Sequence, residues 1–80
     1  MPMAVDWRSG APGYRQVIDD IVDQIKAGKL RPGDKLPSTR ELTAHYGVSE
    51  TVIRMAMVEL KARQFLIGQK GKGVYVATLD

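Results

Sequence analysis

Eighty residues without a cysteine make one small domain, held by burial alone, with no disulfide and no Cys-based metal site. No apolar run approaches the roughly 20 residues of a membrane span, and MPMAVDWRSGAPG lacks the basic and apolar regions of a signal peptide, so a cytosolic protein is expected. The net charge is +3 and unevenly placed: four Lys/Arg against four Asp in residues 1–30, but eight Lys/Arg against four acids in residues 31–73. That asymmetry favours a polyanion as partner.

Residues 1–13 read as a flexible arm, because Pro2, Gly10, Pro12 and Gly13 discourage a regular element and no period is visible. Trp7 is its one aromatic residue, suited either to packing on the domain or to a contact absent from this chain. The domain proper is expected over residues 14–78. Its first helix is predicted from Tyr14 to Ala27. Tyr14, Val17, Ile18, Ile21, Val22 and Ile25 recur as an apolar stripe, and Arg15, Gln16, Asp19, Asp20, Asp23 and Lys26 fill the other face. Gly28 suits the position just past the helix end. The acidic outer face marks a scaffold rather than a contact with a polyanion.

Pro32-Gly33 sets a turn, and Lys35-Leu36 can form a very short strand before Pro37. Ser38 and Glu41 make the S-x-x-E capping box of a short second helix, with Leu42 and Tyr46 inward and a stop at Gly47. Ser49 caps a third helix, expected to run to about Gln64. Ile53, Ala56, Met57 and Leu60 form its buried stripe, about 150° from Thr51 and Val58, with Arg54 at the edge. Two short β-rich runs, FLIGQ and VYVAT, follow, joined by Lys70-Gly71-Lys72-Gly73.

Two capped helices around a glycine turn, then a cationic hairpin, spell an α+β, mostly α, winged helix-turn-helix: three helices and a short β-hairpin wing. The usual work of that fold is reading double-stranded DNA, with the third helix in the major groove and the wing on the backbone or in the minor groove. Each residue also has a plainer role. Arg40 is either a solvated helix arginine or, at a helix N-terminus against the backbone, a phosphate or base contact. Arg54 is either solvated or bidentate to guanine. Thr51 is either indifferent or placed for a phosphate or a thymine methyl. Lys70-Gly71-Lys72 is either a soluble turn or a wing tip. It is not a nucleotide loop, since Val74 stands where the lysine would be.

His45 is the single histidine, so no metal set or catalytic triad can be assembled around it. Asp19, Asp20 and Asp23 read as a solvated face rather than a cation site. No catalytic constellation, cofactor site, metal site or small-molecule effector site is expected, and the chain is not expected to be an enzyme. Val52, Met55 and Val58 give the third helix an unusually apolar exposed surface. They keep a second reading alive, a winged-helix protein-interaction module.

G-x-L-x-P-G-D-x-L-P-S-x-R-E-L over residues 28–42, Gly47-Val48-Ser49, and a glycine-rich wing occur here together. From Tyr14 to Ala77 the chain resembles the N-terminal DNA-binding domain of GntR-type bacterial transcription regulators. The resemblance implies a dimeric repressor or activator on a short inverted-repeat operator, with repression the expected sign, in a cytoplasmic, nucleoid-associated setting. The positions it implies for DNA contact are Arg40, Thr51, Arg54 and the wing around Lys70 and Gly71. Ser38, Thr39, Ser49, Glu50 and Lys72 complete the candidate set from their places at the helix starts and the wing. Two departures stand out. Family members usually carry arginine or lysine after the serine of G-V-S, where this chain has Glu50. They also usually carry a large C-terminal domain that binds an effector and dimerises, whereas these residues end just past the wing. A free monomer that pairs on DNA is therefore expected. Glu50 itself has three readings: a helix-end charge, an acceptor for cytosine N4, or a brace for Arg54.

Overall fold

The computed structural model describes residues 13–78. The arm and Trp7 lie outside the described residues. Three helices, α1 (Gly13–Lys26), α2 (Thr39–Tyr46) and α3 (Glu50–Ala62), are followed by β1 (Leu66–Gln69) and β2 (Gly73–Val76). The strands pair antiparallel in the register Leu66–Val76, Ile67–Tyr75, Gly68–Val74, Gln69–Gly73. This is the winged helix-turn-helix that the sequence predicts. Gly13 is buried and opens α1, one residue earlier than expected.

The core is built from the predicted stripes. Val17, Ile18 and Ile21 of α1 meet Ile53, Ala56, Met57 and Leu60 of α3, and Leu36, Leu42, Tyr46, Leu66 and Val76 close the sides. Tyr14, Val22 and Ile25 are only partly buried at the margin. The short strand expected at Lys35-Leu36 is a single bridge to Tyr75. Leu36 N–H donates to Val74 O at 2.8 Å, and Val76 N–H donates to Asp34 O at 2.8 Å. The linker before α2 is thus laced onto β2, leaving β2 covered on both edges.

Helix ends follow local chemistry. Ser38 Oγ accepts from Glu41 N–H at 3.2 Å and donates to Glu41 Oε1 at 3.2 Å. The glutamate therefore returns to the hydroxyl rather than to the backbone N–H of an ideal capping box. Ser49 Oγ accepts from Val52 N–H at 3.3 Å. Gly47, at φ 68°, is left-handed and ends α2, turning the chain straight into the Ser49 cap. The expectation for α3 fails by two residues. It ends at Ala62, and Gln64 adopts φ 66°. Gln64 N–H donates to Lys61 O and Phe65 N–H to Leu60 O, both at 3.0 Å, the two bonds of a Schellman turn. A residue with a β-carbon fills a glycine's conformation there, which is why the sequence carried no stop signal.

The acidic face of α1 is not uniformly solvated. Asp20 is half-buried, and its Oδ2 accepts from the Tyr46 hydroxyl at 2.6 Å and from Gln24 Nε2 at 2.8 Å. Gln16, expected outside, is buried. Burial first, and then the Asp20 hydrogen bond and charge, push the Tyr46 phenol well above its ordinary value. The neutral phenol of the folded state is the stabilising form. Its contribution is complete below the ordinary phenol pKa of about 10 and is lost as pH rises beyond it.

Two outcomes follow. Tyr46→Phe should cost about 1.5–3 kcal/mol, the range for a hydrogen bond to a charged group, read from the urea midpoint at neutral pH. The variant should also lose stability less steeply than wild type above about pH 10. Gln64→Gly should raise the same midpoint by about 0.5–1 kcal/mol through relief of the left-handed strain. A destabilised glycine variant would show that the glutamine side chain contributes more than its backbone costs.

Candidate nucleic-acid interface

The predicted site residues occupy three places. Ser38, Thr39 and Arg40 form the start of α2; Ser49, Glu50, Thr51 and Arg54 lie on the first two turns of α3; Lys70, Gly71 and Lys72 make the wing turn. All are exposed except Thr39, which is half-buried. The α2 start is fixed by its own bonds, since the Thr43 hydroxyl donates to Arg40 O at 2.6 Å. The wing turn is closed by Lys72 N–H donating to Gln69 O at 2.9 Å, with Gly71 at φ 77°.

The guanidinium of Arg54 is engaged: it donates to the Glu50 carboxylate one turn earlier. Arg54 and Glu50 side chains are 73% and 58% exposed, so the pair is solvated. Such a pair stabilises the helix by only about 0.3–0.5 kcal/mol. Of the three readings of Glu50, the brace for Arg54 is thus formed in the free chain. Arg63 pairs with Glu59 at 2.7 Å. Among the described residues, Arg40, Lys35, Lys61, Lys70 and Lys72 have no ion pair.

Two of these cations, Lys35 and Lys61, belong to no motif of the candidate site in the sequence. A β-carbon built on Gly68 would lie 3.0 Å from Lys61 Nζ, and one on Gly73 would lie 3.0 Å from Lys35 Cε. Both lysines therefore lie against the wing, in space left by its glycines. Lys61, Gln69, Lys70 and Gly71 share one open hollow of about 440 Å³. The signal was present in the sequence as glycines inside strands, which mark a close approach. The wing thus gathers Lys35, Lys61, Lys70 and Lys72, while the start of α3 carries a neutral Glu50–Arg54 pair.

The same outward face of α3 also carries apolar surface. Met55 is 49% and Val58 68% exposed, whereas Val52, expected beside them, is partly buried. With Tyr14, Thr51, Arg54 and Glu59 they line a shallow hollow of about 450 Å³. His45 is exposed and meets the Tyr46 ring edge-on at 4.7 Å. Among the described residues no group of three or more His, Cys, Asp or Glu is placed to hold a metal, and no helix is long and apolar enough to cross a membrane.

Residues 13–76 match the sequence profile described as bacterial regulatory proteins, gntR family. The chain belongs to that family. Among gntR relatives, the mannosyl-D-glycerate transport/metabolism system repressor of Escherichia coli is 43% identical over 65 residues, which is 81% of this chain and 27% of the relative. The HTH-type transcriptional repressor NagR of Bacillus subtilis is 35% identical over 75 residues, 94% of this chain and 31% of the relative. The chain thus spans under a third of these relatives' length. The DNA-binding domain of AraR in complex with operator ORX1 superposes with a TM-score of 0.81 at 37% identity, covering 84% of this chain and 81% of that one. YtrA of Sulfolobus acidocaldarius, a GntR-family transcription factor, superposes at 0.91 and 34% identity, over 100% of this chain and 84% of that one.

Gly68→Ala tests the wing arrangement. The atom it meets is the free end of a lysine, so thermal unfolding should report a change within about 0.5 kcal/mol. A loss well above that would show Lys61 to be fixed in place.

Proposed function

We propose that residues 14–78 act as the DNA-reading unit of a GntR-type transcription regulator, a repressor, working in the bacterial cytoplasm on nucleoid DNA and without catalysis of its own. The observation that carries this reading is the likeness to an AraR domain held on its operator, over most of both chains. The charge arrangement supports it independently. The first turns of α3 enter the major groove, where Thr51, Arg54 and Glu50 face base edges and Ser49 lies at the groove's rim. Ser38, Thr39 and Arg40 at the start of α2 meet one phosphate backbone. Lys70, Gly71 and Lys72, joined by Lys35 and Lys61, hold the backbone or the minor groove at the wing. Two protomers sit on a short inverted repeat, and the dimer forms on the DNA.

The exposed Met55 and Val58 beside Tyr14 favour one rival, a module that binds a partner protein through α3. Salt separates the two readings. If each protomer neutralises about four to six phosphates, log K against log salt should slope at about −4 to −5 per protomer. Lys70→Ala or Lys72→Ala should flatten the slope by up to about one without altering sequence preference, whereas Arg54→Ala should relax preference at one base pair. Fluorescence anisotropy on labelled duplexes across a salt series measures this, and a flat response would leave the protein-binding module standing.

A further inference from the structure

The positive charge of the interface and its reading helix are separated in this fold. Lys35, Lys61, Lys70 and Lys72 stand unpaired at the wing, and Arg40 at the start of α2, among the described residues. The first two turns of α3 expose one cation, Arg54, and it is neutralised by Glu50. Attraction to phosphates therefore arises at the wing and α2. The start of α3 adds almost no net charge to it.

A carboxylate in that position has a narrow choice of surroundings. It only accepts hydrogen bonds. The major-groove edges of guanine and thymine offer acceptors alone, together with the thymine methyl; only cytosine N4 and adenine N6 donate. Phosphates repel it. Arg54 is the complement, a pure donor whose best partner is the O6/N7 edge of guanine. One helical turn separates the two residues, about 5–6 Å along the axis, so they reach neighbouring base pairs.

We propose that Glu50 is the specificity-determining residue of α3: it holds Arg54 toward a guanine and rejects duplexes that turn the acceptor edge of a guanine or thymine, rather than an amino group, toward its own carboxylate. Resting on the DNA-binding reading above, the proposal assigns affinity and discrimination to different elements. The wing lysines bind any duplex, and the Glu50–Arg54 pair chooses among them. A preferred half-site places a cytosine next to the guanine read by Arg54.

The test compares wild type with Glu50→Ala, Glu50→Gln, Arg54→Ala and the Glu50→Ala/Arg54→Ala double variant. Each is put through selection from random duplexes and titrated on the selected and a scrambled duplex across a salt series. Both Glu50 variants should bind scrambled DNA more tightly, and their ratio of selected to scrambled affinity should fall by about tenfold or more, the scale of one base-pair contact. Their salt slope should steepen by up to about one, as Arg54 becomes available to a phosphate. The double variant should bind scrambled DNA better than Arg54→Ala alone, because the single variant leaves an unpaired carboxylate at the groove. If the Glu50 variants return the same motif with the same ratio and slope, Glu50 is a helix-end charge and the proposal falls while DNA binding stands. If wild type shows no salt-dependent duplex binding, the DNA-binding reading itself falls, and this proposal with it.

Discussion

Ile53, Ala56 and Leu60 have no accessible surface, and the direction in which Thr51 and Arg54 point follows from that burial. A helix buries one stripe, and rotating α3 by a single residue, about 100°, would drive a charged side chain into the core. The hydrophobic seat against α1 therefore fixes the azimuth of every outward residue on α3. The helix starts where Ser49 caps it, and it meets α2 through a turn that Gly47 makes tight. Position and rotation of the outward face of α3 are both consequences of apolar packing, although Ile53, Ala56 and Leu60 are themselves wholly buried.

The bond from Tyr46 to Asp20 adds a polar pin to that apolar seat. It joins the end of α2, which packs on α3, to the middle of α1, so the turn motif is tied to α1 both by the burial of α3 and by a hydrogen bond to a charge from α2. A buried phenol satisfied by a carboxylate has one good geometry, and apolar side chains alone tolerate several. The pin therefore fixes where the end of α2 lies against α1.

Much of this was legible in the sequence, for physical reasons that differ by element. Periodic apolar stripes located α1 and α3, and Ser38, Gly47 and Ser49 punctuated the turn, because caps and left-handed glycines leave strong local signals. The end of α3 was not legible, since Gln64 holds a glycine's conformation without being one. Asp20 was read as solvated because one-dimensional patterns cannot show that Tyr46, 26 residues away, comes to meet it. Val52 was expected in solvent and is half-buried. For the candidate interface, sequence shows which charged residues are available but not how they divide: the Glu50–Arg54 pair is one of several readings there. The placement of Lys35 and Lys61 against the wing depends on a strand register that no local motif encodes.

The bridge between Lys35 and Tyr75 has a mechanical meaning. Three residues after that bridge the chain reaches Ser38, and on the other side of it β2 leads back to the wing turn. The start of α2 and the wing are thus mounted on one hydrogen-bonded frame, spanned by the bonds of Leu36 and Val76. A hand whose two grips share a stiff palm has its spacing set before it closes. Ordering a long loop costs conformational entropy at the moment of binding, and here that entropy is spent during folding. The gap between the two grips is thus fixed by the fold itself, before any partner is met.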